Sequence, residues 1–139
     1  MTLQFAFSSC PNDCYIFYAW CHNLLKEVPI VKSIHQDVQK LNESCKHALY
    51  PICKISMGQL PYILDDYVLL PVGGALSSYL GPKVVSEKIL QSADFPFCSV
   101  AIPGKKTTAH FLFDHLFSKV KEKKFCKFDR VSQHILAKR

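Results

Sequence analysis

Between Ser8 and Tyr18 the chain reads S-S-C-P-N-D-C-Y-I-F-Y, a polar loop set between two apolar stretches. Pro11 stiffens the entry and Asn12 and Asp13 are good helix caps. The free backbone N–H groups of a first helical turn would then point at whatever sits beyond the loop. Such a turn can seat a carboxylate or a phosphate, the alternative being a capped turn with no ligand. A second loop, Pro103 to Ala109, repeats the arrangement as P-G-K-K-T-T-A. Here the hydroxyls of Thr107 and Thr108 and the free N–H groups would face a ligand. The run G-K-K-T-T has the look of a nucleotide phosphate loop, but Val100 stands near where that motif's first glycine would fall, which argues against a nucleotide.

Other candidates are weaker. Cys10 and Cys14 invite a metal or iron-sulfur reading, yet a radical-cluster motif would want a third cysteine where Phe17 stands, and a zinc site a second ligand pair that His22 alone does not supply. No metal is assigned. Six histidines (His22, His35, His47, His110, His115, His134) could act as general bases near neutral pH. None shows a carboxylate partner at an obvious spacing, and surface or core filling is the default for each. Lys54 and Ser56 close a short apolar strand, where an exposed charge and a helix cap are the plain alternatives to ligand contact.

Positioning these groups requires strands that end at the loops. Leu3 to Phe7 alternates as a strand does, and Tyr15 to Leu25 is long enough for a helix. Pro29 to His35 reads as a second strand, Asp37 caps a helix from Val38 to about Ala48, and Pro51 to Ile55 is a third strand, followed by a helical turn around Gln59 to Leu64. This βαβα order predicts a parallel sheet. Tyr67 to Val72 and Lys83 to Ser86 are expected strands on either side of Gly73-Gly74 and Gly81-Pro82. Glu87 to Phe95 is more polar and is followed by Pro96, and a boundary is placed there between residues 1–95 and 96–139. Beyond it come a strand from Phe97 to Ile102, a helix from Thr107 to Phe117, a strand from Phe125 to Phe128 and a last helix from Asp129 to Arg139.

The 139 residues are enough for a core, and 49% apolar with 20% charged residues excludes a disordered chain. No apolar run approaches the roughly 20 residues needed to span a bilayer, and Met1 to Cys10 lacks the charge and length of a secretory signal. Seven irregularly spaced cysteines fit reduced thiols, so a cytoplasmic location is expected. The net charge of +6 is concentrated late: residues 1–104 carry net −1 and residues 105–139 net +7. That tail has no recognisable binding motif and little aromatic interleaving, so neither a nucleic-acid partner nor a membrane is expected.

The loop S-x-C-P-N-D resembles the opening of the 1,4-dihydroxy-6-naphthoate synthases of the futalosine route to menaquinone. Asp37-Val38 with Leu41-Asn42, Lys54-Ile55-Ser56, Asp66-Tyr67, Gly73-Gly74-Ala75-Leu76, Gly81-Pro82 and Ala101-Ile102-Pro103-Gly104 with Thr107-Thr108-Ala109 follow in the family's order over nearly the whole chain. Ser9 replaces a usual proline, Cys14 a usual threonine, and Ser77-Ser78-Tyr79 a usual glycine-rich turn, departures that bear on substrate fit. The resemblance implies a periplasmic-binding-protein-like (type II) α/β fold in two lobes, present in part, with a first lobe over residues 1–95 and an incomplete second lobe over 96–139. It also implies a cofactor-free lyase that converts cyclic dehypoxanthine futalosine to 1,4-dihydroxy-6-naphthoate, an anionic small-molecule substrate, and a pocket lined by Asn12, Lys54, Ile55, Ser56, Thr107, Thr108 and Ala109. The family's histidine base belongs to a segment after the helix equivalent to Asp129 to Lys138, so no catalytic role is carried onto a residue here. The chain is therefore expected to be inactive alone, and either to pair with a missing C-terminal half or to self-associate. A carboxylate-binding protein of the same fold without catalysis, and the sister enzyme chorismate dehydratase, are the rival readings.

Overall fold

The computed structural model describes residues 2–117 and 119–136. Strand β1 (Leu3–Phe7), helix α1 (Pro11–Cys21), strand β2 (Val31–His35), helix α2 (Val38–Cys45) and strand β3 (Ile52–Cys53) build a parallel sheet of order β2-β1-β3. Leu3 lies opposite Val31, Phe7 opposite His35, and Phe5 opposite Ile52. As the central strand, β1 is covered on both faces, and Phe5, Ala6 and Phe7 are all buried. Phe5 and Phe7 pack on Phe17 of α1 at ring separations of 4.6 and 5.2 Å, with Trp20 5.2 Å from Phe5. On the opposite pleat Ala6 turns toward α2, where Leu41 and Cys45 are buried.

Helix α1 begins at Pro11, four residues earlier than its apolar run. Proline is pre-set for the first helical position and its missing N–H removes nothing there, so the helix extends back into the polar loop. The residue at the cap is Cys10, and no side chain caps the helix. Asn12 and Asp13 thus sit inside the first turn and are not caps. Asp37 does cap α2, accepting from Gln39 N at 2.9 Å.

The second sheet pairs β4 (Ser99–Ile102) with β5 (Glu122–Phe125) in parallel across helix α3 (Thr108–Leu116). Strand β5 lies three residues before its expected place. A 3-10 turn (Phe128–Arg130) leads into helix α4 (Val131–Leu136), and the expected continuation to Arg139 falls outside the described residues. The whole is an α/β fold with two parallel sheets.

The expected strands at Tyr67 to Val72 and Lys83 to Ser86 are not formed. From Tyr67 to Gln91 the chain makes neither helix nor strand, and Val68, Leu76 and Ile89 are 83, 100 and 92% exposed. Their composition favours a pleated conformation, but a strand is completed only by a neighbour's hydrogen-bond ladder, and none lies beside them among the described residues. Helix α1 carries the same signature, with Tyr15, Ile16 and Tyr18 exposed on an apolar helix. Among the described residues no helix is long and apolar enough to cross a membrane.

Candidate functional site

Three loops leave the first sheet at the carboxyl ends of its strands: Ser8 to Asp13 after β1, Gln36 and Asp37 after β2, and Lys54 to Ser56 after β3. Open parallel sheets collect ligands at this end. The loop before α3 reaches across from the second sheet, and together these segments border an open cleft of about 700 Å³. Asn12, Lys54, Ile55, Ser56, Thr107 and Ala109 all stand on its wall. Thr108 stands behind it.

The two threonine hydroxyls expected to face a ligand are turned to the protein instead. Thr107 Oγ1 accepts from His110 N at 3.2 Å and donates to Gly104 O at 2.9 Å, so it serves as the cap of α3. Thr108 Oγ1 accepts from Gly58 N at 3.2 Å and shares a 2.9 Å bond with Ser56 Oγ, which in turn accepts from Thr108 N at 2.7 Å. The physical reason is the orphan N–H groups of a helix start, which take the nearest hydroxyls before any ligand can. What remains for a ligand on these walls is the Ala109 N–H, the Asn12 and Asp13 N–H groups outside the α1 ladder, and the Asn12 side chain. Helix starts bordering one cavity favour negative charge beside them.

Asn42 ties the two loops from below. It is 1% exposed, its Oδ1 accepts from Ser56 N at 3.1 Å and its Nδ2 donates to Lys106 O at 3.3 Å. The loop after β3 and the loop before α3 are thus held to one side chain, and the backbone of Gly58 lies so close to Lys106 O and Thr107 O that a Cβ there would meet them at 3.0 Å.

The wall carries two lysines, Lys54 and Lys127, and three aspartates, Asp13, Asp37 and Asp129. Lys54 Nζ donates to Asp13 Oδ1 at 2.8 Å, while Asp13 Oδ2 accepts from Ser8 Oγ at 2.7 Å. Lys106 is turned away, its ammonium 3.6 Å from the centre of the Tyr62 ring.

Of the six histidines, His35 alone stands on the cavity wall, packed against the Phe7 ring at 4.5 Å. A carboxylate partner does exist for one of the others: His110 Nε2 lies 3.2 Å from Asp114 Oδ2, an i,i+4 pair on α3 that the spacing already contained. That pair is off the cavity, and His110 Nδ1 donates to Lys105 O. Among the described residues no three His, Cys, Asp or Glu side chains converge as a metal site would require, and all seven cysteines are free.

Residues 3–138 match the profile of a family described by its role in menaquinone biosynthesis. The chain belongs to this menaquinone biosynthesis family. It is 38% identical over 112 residues to a 1,4-dihydroxy-6-naphthoate synthase of Streptomyces coelicolor, covering 81% of this chain and 39% of that protein. The corresponding synthase of Thermus thermophilus is 38% identical over 110 residues, covering 79% and 40%. A crystal structure of a protein from Archaeoglobus fulgidus superposes with a TM-score of 0.90 at 25% identity over 99% of this chain and 50% of that one. The chain therefore spans about two fifths of the curated relatives it matches. Asp13 and Asn42 support these walls although their types and spacing do not single them out for it; both stand in the motifs of the resemblance, but their partners lie 41 and 64 positions away.

Proposed function

We propose that this chain provides the substrate-holding wall of a 1,4-dihydroxy-6-naphthoate synthase, the lyase that releases the naphthoate from cyclic dehypoxanthine futalosine in menaquinone biosynthesis. The observation that carries this reading is the convergence of Asn12, Lys54, Ser56, Thr107 and Ala109 on one cavity, between two helix starts and beside a lysine. A carboxylate is the natural ligand of such a wall. The 38% identity to two proteins named as this synthase supports the reading. We place the enzyme in the cytoplasm, without a cofactor, in a two-lobed periplasmic-binding-protein-like fold whose first lobe is residues 1–95 and whose second begins at residue 96.

Turnover in this reading needs more polypeptide than these residues. The exposed apolar stretch from Val68 to Ile89 and the exposed face of α1 are the surfaces such a segment would cover, and the second sheet has only two strands among the described residues. A charged hydrogen bond from a lysine contributes about 1.5–3 kcal/mol, so Lys54→Met should weaken binding of 1,4-dihydroxy-6-naphthoate roughly 10- to 150-fold by calorimetric titration. Equal affinity of the two proteins would refute the wall. Cyclic dehypoxanthine futalosine should be consumed only when a separately expressed chain, equivalent to the remainder of the Thermus relative, is added. Naphthoate binding with no turnover in either mixture would favour an anion-binding protein without catalysis.

A further inference from the structure

Asp13 is 5% exposed, and a carboxylate so enclosed is stable only when its oxygens are paired and hydrogen-bonded. Each oxygen has one partner. Oδ2 takes the Ser8 hydroxyl at 2.7 Å, and Oδ1 takes the Lys54 ammonium at 2.8 Å. Ser8 Oγ is itself held by Cys10 N at 3.3 Å, so the carboxylate is fixed to the same loop whose N–H groups border the cavity. The side chain of Lys54 is 26% exposed and stands on the cavity wall. An ammonium has three donors, and Asp13 takes one of them.

We propose that Asp13 is a positioning residue for anion recognition: it clamps Lys54 so that the remaining ammonium donors are aimed into the cavity beside the start of α1. This rests on the anion-binding reading of the cavity. A lysine free to rotate loses much side-chain entropy when it grips a ligand, whereas a clamped one has lost it already. The clamp also neutralises the ammonium's long-range field, so recognition depends on directed hydrogen bonds and not on general attraction. A carboxylate simply repelling the ligand would have the opposite effect, and the two cases separate experimentally.

The test compares wild type, D13N, D13E, K54M and the D13N/K54M double variant by calorimetric titration with 1,4-dihydroxy-6-naphthoate, with melting curves on each. D13N is expected to bind roughly 5- to 30-fold more weakly. D13E should recover part of that loss, and the double variant should bind no more weakly than K54M. Binding by D13N as tight as wild type or tighter overturns the proposal, as do losses that simply add in the double variant. A second readout needs no ligand: the Lys54 ammonium ¹H–¹⁵N cross-peak, slowed in exchange by its carboxylate partner, is expected in wild type and lost in D13N. Failure of wild type to bind the naphthoate with that cross-peak pattern intact overturns the anion reading of the cavity and upholds the clamp. A cross-peak unchanged by D13N overturns the clamp. Should D13N not fold, S8A removes the hydroxyl on Oδ2 together with the acceptor of Cys10 N and is expected to weaken binding about 2- to 5-fold, no change in affinity counting against the clamp.

Discussion

Replacing Asn42 with leucine keeps the branching and heavy-atom count of the side chain and removes both of its hydrogen bonds. Ser56 N then loses its acceptor and Lys106 O its donor, in a region where Asn42 itself is 1% exposed. Leaving a buried backbone group unpaired costs about 1–3 kcal/mol, and because both groups are only partly buried the pair should cost about 2–4 kcal/mol. For a chain of this size a urea slope near 2 kcal/mol/M turns that loss into a fall of about 1–2 M in the unfolding midpoint. Naphthoate affinity should fall in parallel, since the loop carrying Lys54 and Ser56 is no longer tied to the loop carrying Thr107 and Ala109. Equilibrium urea unfolding followed by tryptophan fluorescence reads the first effect, Trp20 being the one tryptophan and packed in the core against Phe5. A midpoint within about 0.3 M of wild type would show that water replaces the amide without loss and would refute the tether.

Gly58→Ala should act at the same junction from the other side: its Cβ would press on the backbone of Lys106 and Thr107 at 3.0 Å, and overpacking of this kind costs about 1–3 kcal/mol, visible as a lower urea midpoint. An unchanged midpoint would mean the two loops separate freely. Tyr67 predicts an alkaline effect. Burial first, and then the neighbouring Cys45, push its hydroxyl up to about 12 from 10.0. The folded protein keeps that proton between those values while the unfolded chain loses it, so the stability present below pH 10 declines as pH rises through the window. Urea midpoints at pH 8 and 11 should therefore fall less for Tyr67→Phe than for wild type, and identical falls in the two proteins would refute the assignment.

The order of elements was legible because local pattern specifies it. Phe5 and Phe7 alternate with Gln4 and Ala6, and Asp37 precedes an amphipathic run. The convergence of the three loops could be expected from the family motifs. Less legible was anything that depends on which strands are neighbours. Asp13 meets Lys54 only because β3 pairs with β1, a fact of sheet order that periodicity does not contain. The same limit explains Tyr67 to Val72, where residues suited to a strand find no ladder to join. The threonine hydroxyls were misplaced for a different reason: in the chain alone nothing shows Ser56 and Gly58 lying against Thr108, so the hydroxyls looked free.

The ring of bonds joining Ser56, Gly58 and Thr108 has a consequence for binding. Those bonds run between groups of the protein alone, so at this junction the two sides of the cavity are held together by the chain itself. A guest arriving here meets a junction already closed by the protein's own bonds, and its binding need not supply the energy to close it.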